Sequence, residues 1–161
     1  MKIAEQAHSA GLALFEAEAL RMRALLQVIQ APADLVSVEQ PKKHHLFGRE
    51  KKQQRAELGY LNQAENALKQ AAAISESDRQ DEYAVLLRAR AEATARHGMF
   101  PEANEALKTL QGMTANSRSP VVLRAASGAE GAVLAYQNRW ADAIQYLEQD
   151  QENAFSLFRL A

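Results

Sequence analysis

Asn138-Arg139-Trp140-Ala141-Asp142-Ala143, followed by Leu147, is the stretch that decides how this chain is read. It has a turn residue, a large apolar residue two places on, an alanine three places after that, and a leucine four places further. The pattern recurs upstream. Gly98-Met99-Phe100-Pro101-Glu102-Ala103 is followed by Leu107, and Gly59-Tyr60-Leu61-Asn62-Gln63-Ala64 by Leu68. The interval is about 40 residues, and a period of roughly 20–50 residues marks stacked, self-similar units.

The composition around these windows is that of a helical protein. Alanine supplies about one-fifth of the 161 residues, and leucine, glutamate, glutamine, lysine and arginine supply much of the rest. β-branched residues are sparse, so strand propensity is low. The pattern predicts seven helical segments. The first runs over 3–30 and is stopped by Pro32. A loop over 31–48 carries Pro32, Pro41 and the run Lys42-Lys43-His44-His45. A second helix over 49–75 either turns at Gly59 or runs through it. A third covers 78–97, capped at Ser77 or Asp78 and ended by Gly98 as a C′ glycine. Pro101 opens a fourth, where its missing N–H costs nothing, and Gly112 ends it. Residues 114–120 form a polar linker. The fifth and sixth helices cover 120–137 and 140–149, and 153–161 begins a last one.

These windows resemble the tetratricopeptide repeat family. There a helix A ends in a turn, a large residue opens helix B, and a small residue on helix B lets helix A cross closely. Leu87, Ala91 and Thr94 stand at the helix A positions of the second window, and Gly131 and Leu134 at those of the third. The first window is a poor match, because Lys51, Lys52 and Arg55 occupy packing positions. The spacing also exceeds the family's repeat of about 34 residues.

The resemblance implies an all-α array of helical hairpins, a solenoid with a right-handed superhelix. Residues 1–48 form an N-terminal helix and basic loop, and 49–161 form the repeats. The repeats divide into a degenerate unit at 49–78, units at 79–113 and 118–150, and the start of a further one at 153–161. Gly59, Ala64, Leu68, Gly98, Phe100, Ala103, Leu107, Gly131, Trp140, Ala143 and Leu147 are its structural positions. Stacking is a physical necessity for such units, since one hairpin cannot bury its apolar stripe alone. Trp140, the sole tryptophan, is expected to be a core wedge, with Trp140→Ala costing about 3–5 kcal/mol.

The family's inner helix A face carries over to Val85, Arg88, Glu92 and Arg96 in one unit and to Ala125, Gly128, Ala132 and Tyr136 in the next. The first set is expected to grip a carboxylate, because an arginine fork matches one in shape and charge. The second is expected to leave room for a bulky side chain. The resemblance thus implies a non-catalytic scaffold for a protein or peptide partner. The alternative is self-association into a homo-oligomer through Phe155, Leu157, Phe158 and Leu160.

Other chemistries find little support. There is no cysteine, which removes disulfides, thiolate metal sites and thiol nucleophiles. A net charge of −1 argues against a dedicated nucleic-acid binder. Lys42 to Arg55 holds six basic residues against Glu50 alone, but Phe47 is the one Phe, Tyr or Trp within it, and no aromatic interleaving supports stacking on bases. It reads as a solvated surface. His44 and His45 are adjacent and lack a third ligand at a helical spacing, so no metal is expected. No phosphate-cradling glycine loop, nucleophile elbow or zinc-binding His pair occurs, so neither catalysis nor a cofactor is expected. Tyr60, Tyr83, Tyr136 and Tyr146 have no general base beside them in sequence. No signal peptide or membrane-spanning run is visible, which leaves the compartment open and leans toward the cytoplasm.

Overall fold

A computed structural model describes residues 43–70 and 75–160, together with Leu12, Phe15, Ala19, Arg21 and Met22. The predicted helix over 3–30 therefore lies mostly outside the described residues, although those five are helical. Residues 31–42 of the loop predicted over 31–48 lie outside them too.

Six α-helices follow: α1 (Lys43–Gln70), α2 (Glu76–Arg96), α3 (Phe100–Thr114), α4 (Pro120–Tyr136), α5 (Trp140–Leu147) and α6 (Ala154–Leu160). A 3₁₀ turn, Glu148–Asp150, joins the last two. No strand occurs among the described residues. The order of packing is sequential. α1 lies on α2, α2 on both α3 and α4, α3 on α4, and α5 and α6 on α4 and on each other.

Local chemistry sets the helix ends. Ser75, rather than Ser77 or Asp78, caps α2, its Oγ accepting from the Asp78 N–H at 3.1 Å. Glu76 and Asp78 in the first turn and Arg96 in the last complement the helix dipole. Ser119 caps α4, accepting from the Val121 N–H at 3.2 Å, and Pro120 stands in the first turn. Of the two readings of Gly59 the structure shows the continuous helix, and the break expected at Gly112 is absent. Gly59 lies inside α1, which runs through it, and α1 begins at Lys43 inside the expected loop. Gly112 lies inside α3. A Cβ at either glycine would meet nothing within 4 Å, so neither glycine answers a close approach.

The repeat is sharpest at two turns. Gly98 and Asn138 have φ of 74° and 62°, the only positive values among the described residues. Around Gly98, the Gly98 N–H donates to the Ala95 carbonyl at 2.9 Å and the Met99 N–H to Thr94 at 2.8 Å. Around Asn138, the Asn138 N–H donates to Ala135 at 3.0 Å and the Arg139 N–H to Leu134 at 2.9 Å. Both are Schellman motifs, which return the last orphan carbonyls of a helix to a partner and redirect the chain. Each reverses the chain into a helix that crosses the previous one tightly. Ala103 and Ala143 are fully buried. A Cβ on Gly131 would stand 2.7 Å from Leu147 Cγ, so α4 and α5 approach as closely as a glycine allows.

The core has three parts. The largest joins α2, α3 and α4 through Leu87, Ala91, Ala103, Leu107, Leu110, Val122 and Val133, with Phe100 packed against it. A second joins α1 and α2 through Leu61, Ala64, Leu68 and Leu86. The third joins α4 and α5 through Leu134, Ala143 and Leu147. Trp140 departs from its expected role. It is 51% exposed and belongs to none of these clusters, because among the described residues no long helix lies over the start of α5 as α4 lies over α3.

Candidate functional site

Residues of α2 and α4 that were expected on an inner face meet in a charged cluster that the chain itself completes. Arg88 is buried. Its Nε donates to Glu92 Oε1 at 2.8 Å, its Nη1 pairs with Asp150 Oδ2 at 2.7 Å, and its Nη2 donates to Ser156 Oγ at 3.0 Å. Ser156 in turn donates to Asp150 Oδ2 at 2.6 Å. Glu92 also takes the Arg159 Nη2 at 2.9 Å, and the Arg159 guanidinium stands 5.5 Å from the centre of the Tyr136 ring. Burial alone would lower the Arg159 pKa; the Glu92 carboxylate and the Tyr136 hydroxyl reverse this and hold it above the ordinary arginine value. Two cations and two carboxylates thus neutralise one another where water is scarce, the condition under which buried charge is tolerated.

This corrects the expected open grip for a carboxylate. All three guanidinium nitrogens of Arg88 are engaged, and Arg96 is turned to the buried Glu57 of α1. Glu57 also meets His97 Nε2 at 3.0 Å. The second set is no open niche either. Ala125, Gly128 and Ala132 are buried, and a Cβ on Gly128 would lie 2.5 Å from both Arg88 Cζ and Asp150 Oδ2. The space left by the small residue of α4 is filled by the long side chain of α2. Val85 and Arg88 of the first set and Ala125 of the second border an open cleft of ≈ 240 Å³, shared with Val121, Arg124 and Asn153.

Asp150, Ser156, Arg159 and Glu57 were not foreseen as partners. One signal was present for Asp150: the period that pairs Gly98 with Asn138 also pairs Leu110 with Asp150. A charge at the equivalent of a fully buried leucine must bring its own counter-ion.

A longer depression lies on the opposite flank of α2, between α1 and α3. Three hollows of ≈ 280, 350 and 370 Å³ meet at Tyr83. Their floor is a stripe of α2, Gln80, Tyr83, Leu87, Arg90 and Thr94, at helical spacing. Tyr83 packs against both the α1–α2 and the α2–α3–α4 cores. On the α1 wall Glu65 pairs with Arg90 at 2.8 Å and with Lys69 at 2.7 Å. On the α3 wall Glu102, Glu105 and Thr109 are exposed.

No group of three metal-ligating side chains occurs among the described residues. No helix among them is long and apolar enough to cross a membrane. Compared with family models, curated proteins and solved structures, the chain matches none.

Proposed function

We propose that this chain is a non-catalytic protein–protein interaction module, a tetratricopeptide-like solenoid of helical hairpins with a right-handed superhelix that scaffolds a protein or peptide partner. The observation that carries the repeat reading is the pair of matching Schellman turns at Gly98 and Asn138. The sequential packing of α2, α3, α4 and α5 supports it. The charged inner face is consumed by its own ion pairs, so the partner is assigned to the groove over α2. A peptide suited to it presents apolar side chains to Tyr83 and Leu87 and basic ones to Glu102 and Glu105.

The test is a titration of a purified, cross-linked partner against wild type and Thr109→Arg. Thr109 is an exposed wall residue, so the substitution blocks the groove without touching the core. Affinity is expected to fall at least tenfold with an unchanged melting curve. Equal affinity would remove the groove from the proposal.

A second reading, self-association, is favoured by one observation. Trp140, Ile144, Leu157 and Phe158 are all exposed at the α5–α6 end, Phe158 by 81%. Exposed apolar side chains of this size are where another helix can dock.

A further inference from the structure

We propose that the cleft between α2, α4 and the Glu148–Asp150 turn binds a neutral aromatic ring tipped with one hydrogen-bond donor, the chemistry of a phenol. This cleft lies on the flank of α2 away from the Tyr83 groove and is a separate site from it. Buried Arg88 and Asp150 make its floor, and Val85, Val121 and Ala125 make its apolar walls. The Asp150 side chain is only 3% exposed. Its Oδ2 faces α4, where a Cβ on Gly128 would lie 2.5 Å away, and it is taken by Arg88 and Ser156. Its Oδ1 takes no hydrogen bond from any described residue. A buried carboxylate oxygen needs a donor, and the open side of Asp150 is the cleft.

Charge, size and rim chemistry define the occupant. Arg88 and Arg159 are already matched by Glu92 and Asp150. A further cation at Oδ1 would stand beside the Arg88 guanidinium, and an anion would stand beside the Asp150 carboxylate, so an uncharged donor suits this floor best. In the open cleft that donor is water, and a ligand displaces water without loss only by returning its hydrogen bond. At ≈ 240 Å³ the cleft is smaller than an ordinary small-molecule site of about 300–1,000 Å³, so it takes a single ring. The methyl groups of Val85, Val121 and Ala125 supply the apolar contact such a ring needs. Arg124 stands at the rim, ion-paired with the exposed Glu152, and a guanidinium favours an aromatic face over an aliphatic one.

Nuclear magnetic resonance titration of the full chain with p-cresol tests this, read at the backbone amides of Val85, Arg124 and Asn153. Saturable shifts centred on the cleft are expected, with a dissociation constant of about 1 mM or tighter, ordinary for one ring. The methyl ether of p-cresol keeps the ring and lacks the donor, and it is expected to bind about tenfold more weakly or worse. The anionic p-toluate is expected to bind more weakly than p-cresol as well. Val121→Phe fills the cleft from a half-buried position and is expected to abolish the shifts with an unchanged melting curve. Val85→Phe takes its place if the melt moves. N-Acetyltyrosinamide separates the two sources of a phenol: shifts matching those of p-cresol mark the tyrosine side chain of a partner, and shifts with p-cresol alone mark a free small molecule. Equal binding of the methyl ether would overturn the donor assignment, and tighter binding of p-toluate would overturn the uncharged one. No shifts, shifts centred on Tyr83, or shifts that survive both cleft-filling variants would overturn the site itself, leaving the groove over α2 unaffected.

Discussion

The α2–α3 and α4–α5 hairpins share a turn and differ in almost everything the turn does not dictate. Both close through a residue at positive φ with the same two backbone hydrogen bonds, and both bury an alanine completely at the crossing. At equivalent positions, Leu110 faces Asp150, Arg88 faces Gly128, and Phe100 faces Trp140. The first hairpin is covered by α4 and has an apolar interior. The second is covered by the short α6, and its interior ends in an ion cluster. A common local code thus gives two cores, because burial is decided by what lies on top of each hairpin.

The largest test of this contrast is Arg88→Ala. It strands Asp150, whose side chain is only 3% exposed, and a buried charge that loses its partner costs about 3–5 kcal/mol. Chemical denaturation reads the loss directly, and a change below about 1 kcal/mol would show that the cluster is hydrated and loose. Next comes the paired truncation of the two ring positions. Phe100→Ala is expected to cost about 2–4 kcal/mol, and Trp140→Ala about 1 kcal/mol or less in the isolated chain. Equal losses would mean that both rings are packed alike. Gly128→Ala follows, with an expected cost of about 1–3 kcal/mol as its Cβ pushes Arg88 and Asp150 apart. A neutral Gly128→Ala would show that the Arg88 side chain shifts freely. The smallest effects lie at the turns. Gly98→Ala should destabilise by about 1 kcal/mol, since alanine resists positive φ, and Asn138→Gly should stabilise by a few tenths of a kcal/mol. If Asn138→Gly destabilises instead, the asparagine side chain contributes more than its backbone strain removes.

Much of the fold was legible because it is local. Gly98 as a C′ residue, Pro101 and Pro120 in first turns, and the helices over 120–137 and 140–149 follow from capping chemistry and apolar spacing. Gly112 misled, and Gly59 left two readings open, for the converse reason. A glycine is weakly unfavourable inside a helix, by about 1 kcal/mol, and flanking helix formers outweigh that cost. The site was less legible. Arg88 and Arg96 look like free cations in a sequence, whereas Glu57, 31 places before Arg88, and Asp150, 62 places after it, are brought to the two arginines only by the packing of α1 and of the 3₁₀ turn.

From sequence alone came the helical class, the two turns and the small residues at the crossings, all settled by interactions within a few residues or by steric limits on a single position. Only the tertiary structure decided that the charges of Arg88, Glu92 and Asp150 are closed on one another, that Trp140 is exposed, and that a groove opens over Tyr83. Each of those depends on which distant helix supplies a counter-ion or covers a ring. Burial and charge neutralisation are properties of neighbours in space, and no local pattern specifies them.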